Sequence, residues 1–89
     1  MKDINLDKDT RQVKIVSQIW KLIFLLNNNG VRYSFHYKGY EVILSKYNFN
    51  LKEYSEVMSF NITQHKYSFC CDKLAEMLKL LKKDMEEIN

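Results

Sequence analysis

Proline is absent from this chain, glycine occurs only twice, cysteine only twice, and the cations are almost all lysine, with Arg11 and Arg32 the sole arginines. Each shortage excludes something. With Gly30 and Gly39 isolated from one another, there is no glycine-rich loop to cradle a nucleotide phosphate. Cys70 and Cys71 are adjacent, a geometry that strains any bridge between them, so no intramolecular disulfide is expected. Scarce arginine removes the bidentate forks that phosphate-gripping and base-reading surfaces favour, and the formal charge of +3 adds little attraction for nucleic acid. The most apolar segment, Ile19 to Leu26, falls far short of the roughly 20 residues that span a bilayer. No cationic leader with a cleavage site is recognisable, so a cytoplasmic protein with no membrane partner is expected.

Against these absences stand 46% apolar residues and 13% aromatics in 89 positions, a composition that folds. The length suits one domain, 1–89, with the polar residues 1–8 expected to fray. A domain this small buries only about 60 to 65% of its unfolded surface, so its stability should be modest.

Asp9-Thr10-Arg11-Gln12 has the form of a capping box and predicts a helix from about Thr10 to Asn28. Ile15, Val16, Ile19, Trp20, Leu22, Ile23 and Leu26 fall in one broad arc, extended by Val13 and Phe24. The run Asn27-Asn28-Asn29-Gly30 stops it. From Val31 to Ser45, strict alternation around Lys38-Gly39 predicts a β-hairpin closed by those two residues. That register pairs Tyr37 with Tyr40, Phe35 with Val42 and Tyr33 with Leu44 on an apolar face, and His36 with Glu41 on a polar one. Residues 47–56 read as a loop or a short helical turn at Asn50-Leu51-Lys52-Glu53. Met58, Phe60 and Ile62 alternate with Ser59, Asn61 and Thr63 as a third strand. Tyr67 to Cys71 fits either a short fourth strand or entry to the last helix, capped by Ser68 or Asp72. Along that helix Leu74, Met77, Leu78, Leu81, Met85 and Ile88 share a narrow stripe.

The order α-β-β-β-α predicts an α+β two-layer sandwich, a three-stranded antiparallel sheet with both helices on one face. Its reverse face would carry Arg32, Ser34, His36, Glu41, Ile43, Ser45, Ser59, Asn61 and Thr63.

Catalysis finds little footing. Metal sites use spaced ligand pairs, and vicinal cysteines with His36 and His65 do not supply one. Cys70 lies five residues from His65, but nothing orients that ring as a base. Among the carboxylates, Glu53, Glu56, Asp84, Glu86 and Glu87 are dispersed, and Glu41 is placed only as a surface partner of His36. No enzyme activity, cofactor or metal is therefore expected. Trp20 and Phe24 opposite Lys14 and Lys21 fit an interfacial helix, yet an aromatic sheet face needs that helix as its cover.

The element order is similar to that of double-stranded-RNA-binding domains, though the start of the last helix reads Cys70-Cys71-Asp72-Lys73-Leu74 and the Pro-His signature is replaced by Lys38-Gly39. In topology and size it also resembles small phage anti-CRISPR proteins, which imply action by surface occlusion. The function expected is a small non-enzymatic protein-binding module, possible as a phage-type inhibitor or accessory protein occluding part of a host macromolecular complex. The alternative is a nucleic-acid-binding domain for double-stranded RNA or single strands. The contact surface expected is Arg32, His36, Lys38 and Glu41. Leu81, Met85 and Ile88 are candidates for a homodimer contact, should their stripe outrun the sheet.

Overall fold

A computed structural model describes residues 6–63 and 66–88. They form α1 (Leu6–Asn28), β1 (Tyr33–Lys38), β2 (Glu41–Asn48), β3 (Glu53–Asn61) and α2 (Tyr67–Ile88). This is the expected α+β order, with the strands in one open antiparallel sheet ordered β1-β2-β3, so that β1 and β3 are its edges.

α1 is already helical at Leu6, which places Asp9 inside the helix rather than at its cap and includes residues 6–8 that were expected to fray. Its other end stops as the asparagine-glycine run implies. Gly30 takes φ +85°. Val31 N–H donates to the Leu26 carbonyl at 3.0 Å and Gly30 N–H to that of Asn27 at 3.3 Å. These are the paired bonds of a Schellman cap, which satisfy the last carbonyls of the helix. The Asn27 side chain then accepts the Tyr33 N–H at 2.9 Å, aiming the chain into β1.

In the first hairpin the turn lies one residue further along than the alternation suggests. Lys38 pairs with Glu41, so Gly39 and Tyr40 make the turn, and the partners become Tyr33 with Lys46, Phe35 with Leu44, His36 with Ile43 and Tyr37 with Val42. The reason is conformational. Of the two turn residues only Gly39 has positive φ, +62°, the signature of a turn with glycine first; a Lys38-Gly39 turn of the mirror-image type I would force lysine into that region. Because the slip changes every partner by two, each side chain keeps its face. Tyr37 and Tyr40, expected in the core, are exposed at the hairpin end.

β2 runs on through Asn48, a turn follows at 49–52, and β3 begins at Glu53, so the segment expected as loop or helix is the distal half of a second hairpin. Asn48 Oδ1 organises that turn by accepting the N–H groups of Asn50 at 2.9 Å and Leu51 at 3.1 Å. Lys52 closes it at φ +56°. Further back Leu44 pairs with Met58 but Ser45 with Glu56, which makes Val57 the extra residue of a β-bulge. Ile62, expected on the strand's buried face, sits in the turn after it and is exposed.

Residues 67–71 belong to α2, whose Cys70 N–H donates to the Lys66 carbonyl at 3.1 Å; Ser68 and Asp72 are therefore interior to the helix and cap nothing. His65 lies outside the described residues. Ile19, Ile23 and Leu26 of α1, Leu74, Met77, Leu78 and Leu81 of α2, and Tyr33, Phe35, Val42, Leu44 and Phe60 of the sheet form one buried cluster. Burial of each such aliphatic side chain contributes about 1.5–3 kcal/mol. Trp20 of α1 stacks on Phe35 with ring centres 5.6 Å apart. Tyr33 donates its hydroxyl to Asp84 of α2, and Cys70 donates its thiol to the Ile62 carbonyl at 3.9 Å.

Candidate interaction surface on the open sheet face

The strand alternation that sends Tyr33, Phe35, Val42 and Leu44 into the core sends Arg32, Ser34, His36, Lys38, Glu41, Ile43 and Ser45 to the reverse, outer face. Arg32 precedes β1 but is held in the same register, its carbonyl accepting the Tyr47 N–H at 2.9 Å. Arg32, His36 and Lys38 are exposed and Glu41 is half-buried. These four residues share the face without forming a cluster, since Arg32 and Lys38 are about 20 Å apart at roughly 3.3 Å per residue. The expected cross-strand pair of His36 with Glu41 is not made: Ile43 faces His36, Lys38 faces Glu41, and His36 Nδ1 lies 3.4 Å from Ser34 Oγ.

The bulge changes what the far end of this face displays. Without it Glu56 and Tyr54 would continue the inner column of Phe60 and Met58. With Val57 inserted they cross to the outer side, where Glu56 accepts the Ser59 hydroxyl at 3.1 Å and Tyr54 pairs with Tyr47. Tyr47 then holds an edge-to-face contact with Tyr54 at 5.2 Å between ring centres and another with Phe49 at 4.9 Å. Phe49 is nonetheless 60% exposed and Tyr54 49%. An aromatic knot of this kind, displayed on the distal end of a hairpin, offers large rigid contact area at low entropic cost. It was not found in the sequence, although Tyr47 and Tyr54 stand symmetrically about Asn50 and Leu51; recognising them as partners requires the hairpin first.

Titratable chemistry gathers on the opposite side. Asp84 accepts from Tyr33 and lies 3.3 Å from Lys46 Nζ, which sits 5.5 Å above the Tyr33 ring centre. Burial, then the hydrogen bond and the negative charges of Asp84 and Glu87, keep the Tyr33 hydroxyl protonated far above the usual tyrosine range. Burial, assisted by neighbouring Cys71, likewise raises the Cys70 thiol, which disfavours the thiolate a nucleophile needs. Among the described residues no group of three His, Cys, Asp or Glu side chains is arranged to hold a metal.

Two stripes differ from expectation. Val13, Trp20 and Phe24 lie at the margin of the α1 arc and remain exposed, leaving Ile19, Ile23 and Leu26 as its buried centre. On α2 the reverse holds. Leu81 is 0% exposed, and Met85 and Ile88 are half-buried against the core, so the stripe offered for self-association is occupied within the chain. No helix among the described residues is long and apolar enough to cross a membrane. Comparison with models of protein families, with curated proteins and with solved structures finds no match.

Proposed function

We propose that this chain is a small non-enzymatic protein-binding module that works in the cytoplasm through the outer face of its sheet, in the manner of a phage-type inhibitor or accessory protein that occludes part of a larger complex. One observation supports this reading above the others: the outer sheet face ends in a knot in which a half-buried Tyr47 carries the exposed rings of Phe49 and Tyr54. Exposed aromatics of this kind supply the anchors of protein interfaces, and Arg32, His36 and Lys38 add polar contacts along the same face.

A nucleic-acid partner finds less support. Glu41 and Glu56 share the face with the cations, and the rings of the knot meet edge-to-face rather than presenting parallel platforms for bases. The two readings separate by experiment. With a purified protein partner, Tyr54→Ala and Arg32→Glu weaken binding at least tenfold while the melting temperature stays within a few degrees. Retardation of oligonucleotides that falls steeply with added salt, with no protein partner affected by those substitutions, would move the assignment to nucleic acid.

A further inference from the structure

Across the molecule from the outer face, β3 borders a groove of about 740 Å³ whose other wall is α2. Met58 is its only lining residue from the sheet, and Glu76, Lys79, Leu80, Lys83 and Glu86 recur along one flank of the helix beside Lys82. Neither β1 nor β2 lines it, which puts the opening on the side of Met58 away from Leu44, its partner in β2. On that side β3 has no neighbouring strand.

The backbone there is set for pairing. Ile62 N–H donates toward β2, to the Tyr40 carbonyl at 2.9 Å. Backbone groups alternate in direction along a strand, so those of Ser59 and Asn61 point to the free edge. The Val57 bulge interrupts the edge at its other end, leaving Met58 to Asn61 as the regular stretch. From Glu76 to Glu86 the helix rises about 15 Å at 1.5 Å per residue. An extended segment of about five residues covers the same length. The four regular residues of the free edge, about 13 Å at roughly 3.3 Å per residue, run along most of that length.

The charge of the groove names the occupant. Among the described residues, Lys79, Lys82 and Lys83 have no ion-pair partner, whereas of the two lining acids Glu76 is engaged by Lys73 at 3.5 Å and Glu86 is unpaired, so cations outnumber anions among the unpaired groups. Met58 and Leu80 supply an apolar floor between these cations. We propose that the β3 edge accepts, as a fourth strand, an extended peptide segment of a partner protein whose every second residue, the row facing α2, is by turns apolar and acidic. Main-chain bonds to Ser59 and Asn61 hold it; within the row of side chains facing α2 the apolar ones fill the groove over Met58 and Leu80 and the acidic ones meet Lys79 and Lys83. This site is separate from the outer face and stands whether or not that face binds a partner.

The test uses a blocked ten-residue peptide with serine at every second position and valine and glutamate taking turns at the positions between, titrated into the full chain and followed through backbone amide resonances. Saturable shifts confined to residues 57–61 and 76–86 are expected, with affinity falling at least tenfold in Lys79→Glu/Lys83→Glu. Methylating the peptide's alternate backbone nitrogens, which removes strand pairing but not charge, should abolish the shifts. Absence of shifts, equal binding of a valine-lysine peptide, or indifference to the charge reversal overturns the proposal. So does preferential binding of an oligonucleotide, or a concentration-dependent dimer that broadens the same amides without peptide and assigns the edge to a second copy. Melting curves verify that the variant is folded, since both lysines are exposed.

Discussion

The Tyr33 hydroxyl donates to the Asp84 carboxylate, joining the first strand to the last turns of α2 across 51 positions of chain. Lys46, paired with Tyr33 across the sheet, completes the contact by approaching the same carboxylate at 3.3 Å. The three residues pin the end of α2 over the start of β1, where Ile88 and Met85 pack against the core.

This contact makes stability sensitive to alkali. The native state holds the Tyr33 proton far above the ordinary tyrosine value, whereas the unfolded chain releases it near pH 10. Below about pH 10 both states are protonated at this site and the stabilisation is complete. Above it the unfolded state binds fewer protons, so stability falls as pH rises toward the native value. Thermal melts of the wild type should show that decline beginning near pH 10. In Tyr33→Phe the loss of a hydrogen bond to a charged group costs about 1.5–3 kcal/mol at neutral pH, and the alkaline slope becomes shallower. An unchanged slope would show that Tyr33 does not govern it.

The two hairpin turns should respond to substitution with opposite signs. Gly39 sits at φ +62° with no atom near the position of an added Cβ, so Gly39→Ala meets strain rather than collision and costs about 1–2 kcal/mol. Lys52 already bears that strain at φ +56°, and Lys52→Gly should gain about 0.5–1 kcal/mol after the entropy of the added glycine is subtracted. Chemical denaturation midpoints give both signs directly.

Leu81 and Phe49 test the division between core and display. Leu81 is wholly buried, and Leu81→Ala should cost about 2–5 kcal/mol, a large share of the total for so small a domain. Phe49→Ala should change stability by less than about 1 kcal/mol, since the ring is mostly in water and, among the described residues, its aromatic contact is with Tyr47. Comparable losses from the two would mean that the distal hairpin is part of the folding core.

Cys70 and Cys71 should behave as packing residues. Both are buried, and Cys70 is held as the neutral thiol. A thiol-reactive disulfide reagent at pH 7.5 should label them only as fast as the protein opens, with labelling accelerating in denaturant. Immediate labelling in buffer would contradict that placement.

How much of this was legible in the sequence depends on periodicity. Where side chains alternate without interruption, from Tyr33 to Leu44, the faces were readable even though the turn was misplaced by one residue, because such a slip preserves every face. The last helix was readable because its stripe is narrow, buried from Leu74 to Leu81 and half-buried at Met85 and Ile88. The second hairpin was not. Its turn is built by an asparagine side chain and a left-handed lysine, neither of which resembles a glycine turn signal, and the Val57 bulge breaks the alternation where a strand pattern would be sought. Arg32, His36, Lys38 and Glu41 could thus be assigned to a face, while the aromatic knot at its end was hidden by the same bulge that creates it.

The most direct measurement installs a photo-reactive benzoylphenylalanine at position 36 or 54 on the outer face, and separately at position 18 on the exposed side of α1, then irradiates each with the purified protein partner. Cross-links from 36 and 54 with none from 18 are the expected result. Equal yields from all three positions, or a yield from 18 alone, would contradict recognition through the open face of the sheet.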